Sequence, residues 1–383
     1  MRRYTILIVL VALSLMVAFS CGEKIKLPTE TPPTGNLGDT LYLSLNPPWD
    51  ADHGYNFSGV SCLYFGLDTY LYVADTENNR VLQLDAAGTI HSSFTVNHPI
   101  SVTQDELMRL LVVSGDKKIY RIDVGPTGDR QTKIIFDYDD RTNFPFSDTT
   151  WNKHHTMISP SDRFVSITDF PQNDKSYFVA VSSDTLNNGR VLWFAGTSSN
   201  REYSDTLFNS KFANADADTF KNPIVITGNG ITTTTKPNSI YAYTSSNTIH
   251  LIVCQDSGSY PVHDMKWYRQ PWDRHWVFTF THNPGEADLI ARDFFSRPKG
   301  ATIDPQGNIY VVESDPVAIC GAYKFSKQGE LVETMCDADS GNYNFHSPMG
   351  ITYDIYGDRR TVYVADTGNN RILRFKLSTD LEN

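Results

Sequence analysis

The sequence predicts an all-β fold assembled from repeated units. The segment Leu71–Val81, LYVADTENNRV, returns near the other end of the chain as Val362–Ile372, VYVADTGNNRI. Such a repeat indicates a closed or stacked array of similar pieces. The chain also contains 21 Phe and 20 Tyr residues, with Asn, Asp, Gly and Pro between its apolar runs. This composition predicts short strands joined by tight turns, and no segment shows sustained helical periodicity.

Residues 1–20 are predicted to be an export signal peptide. Arg2 and Arg3 precede an uncharged apolar run, Ile6–Phe19, which is shorter than the roughly 18–20 residues that a membrane-spanning helix requires. Cleavage is expected after Ser20, which makes Cys21 the first residue of the mature chain. The polar, Pro-rich residues 21–38 are predicted to form a flexible tether, and residues 39–383 a single domain.

Cys21 is a candidate lipidation site. The segment Val17–Cys21 resembles the lipobox of bacterial lipoproteins, although that pattern has an aliphatic residue and then a small one where this chain has Ala18 and Phe19. The resemblance implies a protein of the bacterial cell envelope, anchored by lipid at a periplasmic or outer-membrane surface. A plain secreted protein is the alternative.

The charge of the chain argues against nucleic acid as a partner. Removing Arg2 and Arg3 leaves 33 − 2 = 31 basic residues against 44 acidic ones, a formal charge of −13 for the mature chain. A polyanion is repelled by such a field.

Four cysteines follow Cys21 in the sequence, and disulfides are plausible because the protein is predicted to reach an oxidising compartment. Cys320 and Cys336 lie on segments predicted to be neighbouring antiparallel strands, so they are the favoured pair. Cys62 and Cys254 either form a second bridge or remain two buried free thiols. No pair has the spacing of a zinc site.

The repeated segment predicts a β-hairpin. Leu71–Asp75 is apolar enough for a strand buried on both faces, and the residues from Arg80 onward alternate as a partner strand would. Asn78 and Asn79 suit the turn because Asn tolerates positive φ. Asp75 and Arg80 are expected to form an ion pair across the hairpin, as are Asp366 and Arg371, and their recurrence favours a structural role over a catalytic one.

The order of predicted strands and turns resembles the NHL repeat, a family that folds as a β-propeller. Two copies carry the full motif, and a third, Pro298–Glu313, matches its first half with Glu313 in place of the aspartate. Weaker units are predicted to begin at Pro99, near Thr156 and near Pro223, which gives six blades. The resemblance implies a six-bladed β-propeller closed by an N-terminal strand, residues 39–45, which joins the last blade.

In the unit near Thr156, Phe164–Thr168 and Tyr177–Ser182 are predicted to be the central hairpin. In the unit near Pro223, the same role falls to Ser239–Thr244 and Thr248–Cys254. Residues 137–153, 197–221 and 255–286 are predicted to be insertions, where binding functions tend to lie.

Two groups of residues are candidates for function. Trp267, Tyr268, Trp272 and Trp276, together with Arg297, suit stacking against sugar rings or contact with an envelope protein. The alternative is that these aromatics only pack against the propeller.

The second group contains histidines predicted to precede the innermost strands: His98, His154 or its neighbour His155, and His346. Three imidazoles at one mouth of the channel could hold zinc with an open position, as the resemblance to NHL-type lyases implies. Calcium-dependent lactonase-like propellers are another class, with a Glu, Asn and Asp ring that the sequence does not place.

The sequence favours a binding module for a protein or glycan ligand. The alternatives are a hydrolase or lyase with a metal-assisted site at the channel mouth, and a structural role in the envelope. No Gly-x-Ser-x-Gly elbow or glycine-rich phosphate loop occurs.

Overall fold

A computed structural model shows a six-bladed β-propeller, as predicted. The structure describes residues 41–124, 131–139, 161–169, 176–183, 189–195, 225, 227, 233–245, 248–256, 260–269, 276–278, 294–315, 321–335, 345–354 and 360–381. No α-helix occurs in these ranges, which contain three short 3-10 helices, Ala51–His53, Thr367–Asn369 and Ser378–Asp380. Within the same ranges, no helix has the length and apolar character that crossing a membrane requires.

The first two blades are four-stranded antiparallel sheets in which the strands follow chain order from the centre outward. Blade 1 contains β2 (Val60–Phe65), β3 (Leu71–Asp75), β4 (Arg80–Leu84) and β5 (Ile90–Thr95). Blade 2 contains β6 (Pro99–Gln104), β7 (Arg109–Ser114), β8 (Lys118–Asp123) and β9 (Thr132–Asp137).

The next three blades repeat this order. Blade 3 contains β10 (Asp162–Asp169), β11 (Ser176–Ser183) and β12 (Arg190–Ala195), and Val191 of β12 bridges to Val225. Blade 4 contains β13 (Pro237–Ser245), β14 (Thr248–Gln255), β15 (Val262–Arg269) and β16 (Trp276–Phe278). Blade 5 contains β17 (Pro298–Ile303), β18 (Ile309–Glu313), β19 (Ala322–Phe325) and β20 (Leu331–Met335).

Blade 6 closes the ring with strands from both ends of the described chain. It contains β21 (Gly350–Tyr353), β22 (Val362–Asp366), β23 (Arg371–Leu377) and the N-terminal β1 (Tyr42–Ser44). The outer strand β1 pairs antiparallel with β23, so the predicted closure is confirmed, with a strand shorter than the expected 39–45. A hydrogen bond of 2.8 Å between the hydroxyls of Tyr42 and Tyr310 also joins this strand to blade 5.

The hydrophobic core is divided into six clusters, each between the faces of two neighbouring blades. The second strand of a blade contributes to two clusters because both of its faces are covered. This explains why β3 is continuously apolar rather than alternating, with every residue from Leu71 to Ala74 fully buried.

The repeated motif forms the joint between one blade and the next. The hydroxyl of Thr76 donates to the carbonyl of Pro99 in blade 2, and that of Thr367 donates to the carbonyl of Val60 in blade 1, both at 2.7 Å. The second Asn of each motif accepts a backbone N–H from the following blade: Asn79 from His98 and Asn370 from Gly59. His98 and Gly59 adopt positive φ to present these N–H groups.

Within each copy, the remaining polar residues converge on the aspartate. Asp75 accepts hydrogen bonds from the backbone of Ser58 at 2.7 Å, Asn78 at 2.9 Å and Arg80 at 2.7 Å. Asp366 accepts equivalent bonds from His346, Asn369 and Arg371. Both carboxylates are fully buried, so the charge is satisfied by three donors inside the blade.

Two blades differ from the prediction. Phe164–Thr168 and Ser239–Thr244 belong to β10 and β13, which are the innermost strands of blades 3 and 4 and not the first strands of a central hairpin. The predicted insertion 255–286 therefore contains the outer strands of blade 4, β15 and β16. The spacing misled the alignment because the segments before these two blades, residues 138–161 and 196–236, are much longer than the connection between blades 1 and 2.

We expect Thr367→Val to lower the free energy of unfolding by about 1–3 kcal/mol, because the buried carbonyl of Val60 loses its hydroxyl donor. Urea unfolding followed by tryptophan fluorescence measures the change. Thr95→Val, at an exposed position on β5, is the control and is expected to change stability by less than about 0.5 kcal/mol. Equal effects of the two substitutions would contradict a role for Thr367 in the joint.

Candidate functional site

The six innermost strands, β2, β6, β10, β13, β17 and β21, surround a central channel of about 300 Å³. They run in the same direction, so all six begin at one end, which we call the N-terminal mouth. The lining consists of apolar side chains, hydroxyl groups, Cys62 and Asn238, with Arg163 and Lys299 near this mouth. The described lining residues include no His, Asp or Glu.

Most of the channel hydroxyls hold the strands together. Ser101 accepts from the backbone N–H of Ile167 at 3.2 Å, and Ser166 accepts from that of Ile240 at 3.1 Å. Thr103, Thr168 and Thr352 make the same kind of bond to the next blade at 3.0–3.3 Å. Since an innermost strand has no strand partner on its channel side, these bonds satisfy N–H groups that would otherwise be left unpaired.

The N-terminal mouth has a repeating geometry set by a buried carboxylate. In blade 5, Glu313 accepts backbone N–H bonds from Ser296 at 2.8 Å and from Arg297 at 2.9 Å. Glu313 thus substitutes for the aspartate of the motif, as the sequence alignment predicted. Ser296 in blade 5 is equivalent to Ser58 in blade 1 and to His346 in blade 6, because all three donate to this carboxylate.

The residue that follows Ser58, Ser296 or His346, and its equivalent in the other blades, is a histidine, lysine or arginine in four of the six blades. A bulge near the start of the innermost strands fixes the alignment of five blades. From blade 1 to blade 6, the residues at this position are Gly59, His98, Arg163, Lys236, Arg297 and Ser347. Sequence reasoning identified His98 and Arg297 but missed Arg163 and Lys236, because blades 3 and 4 were aligned one strand too early.

A polar cleft of about 670 Å³ opens at this mouth across blades 4, 5 and 6. Its lining includes Lys236 and Asp256 of blade 4, Ser296, Arg297 and Lys299 of blade 5, and His346 of blade 6. We call it the mouth cleft. Lys299 donates to both carboxylate oxygens of Asp256, at 2.8 and 3.0 Å. Lys236, Arg297 and His346 are exposed.

The histidines proposed for zinc are only partly placed. His98 and His346 lie at the N-terminal mouth, on blades 2 and 6, with the imidazole of each against a glycine of its own blade, Gly115 or Gly368. His154 lies outside the described residues, and the innermost strand of its blade begins at Asp162, where Arg163 is the residue equivalent to His98. Across the described residues, no group of three His, Cys, Asp or Glu side chains is arranged to hold a metal ion.

A calcium site of the lactonase type does not fit the described channel either, because its wall contains no carboxylate. Calcium requires several oxygen ligands, usually including carboxylates. The hydroxyls of the channel wall are instead bonded to the backbone of neighbouring blades.

The aromatic candidates and Arg297 do not lie together. Trp267 and Tyr268 are at the end of β15, where Trp267 pairs with Ile249, close to the turn between β13 and β14. This turn is at the opposite end of the blade from the N-terminal mouth. Arg297 lies at the N-terminal mouth. Trp276 starts β16 and pairs with Arg269, and Trp272 is outside the described residues.

Cys62 and Cys254 are free thiols, so they do not form a bridge with each other. They contribute to different clusters, that between blades 1 and 2 and that between blades 4 and 5. Burial raises the pKa of the Cys62 thiol, and it raises the pKa of Cys254 to about 12. Both thiols are therefore poor nucleophiles near neutral pH. Cys320 and Cys336 lie outside the described residues.

The two Asp–Arg pairs form as separate structural units. The Nε of Arg80 lies 2.7 Å from Asp75, and that of Arg371 lies 2.7 Å from Asp366. Each aspartate side chain is fully buried within its own blade, and neither lines the described channel or the mouth cleft. Each pair orients the hairpin of its blade, and the same aspartate accepts the backbone N–H that precedes the innermost strand of that blade.

Comparison with known proteins places the chain in a fold but not in a family. No protein-family model and no curated protein matches it. The calcium-binding protein regucalcin of Agrobacterium tumefaciens has a similar structure, with 9% identity, a TM-score of 0.54, and coverage of 86% of this chain and 94% of that one. An auxiliary nutrient binding protein of Bacteroides thetaiotaomicron has 12% identity, a TM-score of 0.50, and coverage of 88% and 75%.

A second Bacteroides thetaiotaomicron protein, of unknown function, has 14% identity, a TM-score of 0.50, and coverage of 87% and 72%. At these identities the similarities define the class as a six-bladed β-propeller and say nothing about its ligand.

We expect Asp75→Asn to lower the free energy of unfolding by about 1.5–3 kcal/mol, because charge-assisted bonds from Ser58, Asn78 and Arg80 are weakened. Glu77→Gln is the matched control, since it neutralises an exposed carboxylate of the same turn and should be nearly neutral. Chemical unfolding compares the two. An Asp75 variant as stable as the control would show that the carboxylate is not required by the hairpin.

Proposed function

We propose that this protein is an extracytoplasmic binding protein, tethered to a membrane through Cys21, that captures a carbohydrate in the mouth cleft. The observation that carries the proposal is the cleft itself, a concave polar space of about 670 Å³ at the end of a channel whose described wall has no carboxylate and no imidazole. Ligand sites in proteins commonly have volumes of about 300–1,000 Å³. The propeller supports this site as a rigid frame.

The shape of the cleft favours a carbohydrate over an envelope protein as the ligand. A protein partner requires an extended surface of roughly 800 Å² on each side, whereas a concave cleft encloses a small molecule. Hydroxyls of Ser296, Ser314 and Ser347 line the cleft and can donate to or accept from sugar hydroxyls. Capture of a protein through the same face remains the competing outcome of the binding test.

A hydrolase or lyase with a metal at the channel mouth is the second candidate. The observation in its favour is that His98 and His346 lie at the same mouth, on the two blades that flank blade 1. The reaction would need a third ligand from a residue outside the described ranges, such as His154. Stoichiometric zinc in the purified protein, lost in His98→Ala, would favour this candidate over simple binding.

We expect Cys21→Ser to move the protein from the membrane fraction to the soluble exported fraction, because acyl chains contribute about 0.8 kcal/mol per buried methylene to anchoring. Fractionation of cells and labelling with a radioactive fatty acid measure this. Incorporation of the label by the Cys21→Ser protein, or unchanged membrane association, would contradict the tether.

We expect the purified protein to bind an oligosaccharide on a glycan array, and Ser296→Trp to abolish that binding. The indole would fill the cleft, while Ser296 itself is exposed and so the fold is kept. Thr95→Trp, on the outer strand of blade 1, is the control and should bind as the wild type does. Undiminished binding by Ser296→Trp would exclude the mouth cleft as the site.

A further inference from the structure

The mouth cleft is basic although the protein as a whole is acidic. Its lining contains Lys236, Arg297 and Lys299 against the single carboxylate of Asp256, so the formal charge is 3 − 1 = +2 when only lysine, arginine and aspartate side chains are counted. The whole chain has a formal charge of −11. The local excess of positive charge therefore opposes the field of the rest of the molecule.

The carboxylates near the cleft already have partners. Asp256 accepts two bonds from Lys299, at 2.8 and 3.0 Å, and a further bond from the amide of Asn238. Glu313 is buried and accepts backbone N–H bonds from Ser296, Arg297 and Asp315. Neither acid pairs with Lys236 or with the guanidinium of Arg297.

Lys236 and Arg297 are consequently exposed cations without a salt-bridge partner among the described residues. They occupy equivalent positions on adjacent blades, each one residue before a proline that starts an innermost strand, Pro237 and Pro298. The backbone on both sides is fixed by hydrogen bonds: the carbonyl of Lys236 accepts from Asp256, and the N–H of Arg297 donates to Glu313. Two cations are thus held on a rigid rim beside one cleft.

We propose that the ligand of the mouth cleft is an acidic carbohydrate, bearing carboxylate or sulfate groups that Arg297 and Lys236 bind. This rests on the proposed carbohydrate-binding function and narrows it to an anionic class. A guanidinium binds a planar carboxylate or a sulfate through two parallel N–H bonds, whereas an ammonium acts as a point charge. The two residues together suit a ligand with more than one negative group.

The electrostatics also favour an anion that is small. A large polyanion such as nucleic acid would extend over the acidic remainder of the surface and be repelled, whereas an oligosaccharide contained in the cleft experiences mainly the local positive potential. The serine hydroxyls of the cleft lie among the same cations and are available to the neutral part of such a ligand.

The test is calorimetry with three probes of similar size: a trigalacturonate, a sulfated disaccharide and a neutral galactotriose. The wild type should bind at least one acidic probe, and its affinity should fall as salt is raised. Arg297→Gln and Lys236→Gln should each weaken that binding by about tenfold, the effect of losing one charge-assisted bond worth about 1.4 kcal/mol. The acidic probe that binds more tightly identifies carboxylate or sulfate as the recognised group.

The matched control is Lys327→Gln. Lys327 is exposed in blade 5, close to Gly307 at the opposite end of the blade from Arg297. The substitution therefore removes one positive charge at a position away from the cleft. It should leave the affinity unchanged.

Three results would overturn the inference. If galactotriose binds as tightly as the acidic probes, or if Arg297→Gln and Lys236→Gln bind as Lys327→Gln does, charge recognition is wrong while carbohydrate binding stands. If neither these probes nor a glycan array gives binding by the wild type, the proposed function fails together with the inference.

Discussion

The propeller depends on the joint between consecutive blades, in which a buried carboxylate and a threonine of one hairpin act in opposite directions. The carboxylate of Asp75 faces its own blade and accepts the N–H of Ser58, which sets where the innermost strand begins. The hydroxyl of the next residue, Thr76, faces the following blade and donates to Pro99. Because neighbouring residues in an extended backbone point to opposite sides, two adjacent residues can bind two different blades.

This arrangement explains why the motif is repeated so strictly. Asn78 and Arg80 complete the shell of the carboxylate, and Asn79 accepts the N–H of His98 in the next blade. A change at Asn78 or Arg80 removes a donor from the buried carboxylate of Asp75, which costs more than the bond contributes. The same set at the closure, from Asp366 to Arg371, joins blade 6 to blade 1, because Thr367 donates to the carbonyl of Val60 and Asn370 accepts the N–H of Gly59.

The ring also determines where function can lie. The channel hydroxyls of Ser101, Ser166 and Thr352 accept N–H groups from the next innermost strand, so they are used by the fold. Gly350 lies so close to blade 1 that an added Cβ would be 2.9 Å from the N of Leu63. A wall of this kind tolerates little variation. The residues at the mouth are free of that constraint, since their side chains extend beyond the last inter-strand bond.

The sequence was sufficient to locate the strands of blades 1, 2, 5 and 6, because each of these blades carries local signals for its own strands. The predicted strand Leu71–Asp75 matches β3 residue for residue. Blades 3 and 4 were misaligned because spacing alone was used there. A better signal was available: the sequence Asp184-Thr185-Leu186-Asn187-Asn188 repeats the hairpin motif and marks Tyr177–Ser182 as a second strand.

A further signal would have located the basic residues of the mouth. Three innermost strands begin with Pro, any residue, and then Ser or Gly, at Pro99, Pro237 and Pro298, and the same pattern from Pro348 leads into β21. Pro lacks an N–H and suits the first position of a strand, and the small residue follows the bulge. The sequence could not give the cleft, however, because Asp256 follows β14 and meets Lys299 only through the packing of blade 4 against blade 5.

The two mouths of the channel use charge differently, and this difference supports the proposed ligand site at the N-terminal one. At the opposite mouth, aspartates shape tight turns: Asp105 accepts the N–H groups of Leu107 and Arg109, and Asp304 accepts those of Gln306 and Asn308. Such carboxylates are buried and internally bonded, so they offer no exposed charge to a ligand. At the N-terminal mouth the buried carboxylate of Glu313 serves the backbone in the same way, but Arg297, whose N–H it accepts, has an exposed cationic side chain. At this mouth, a fixed backbone is therefore combined with the exposed cations Lys236 and Arg297, which form no salt bridge within the described fold.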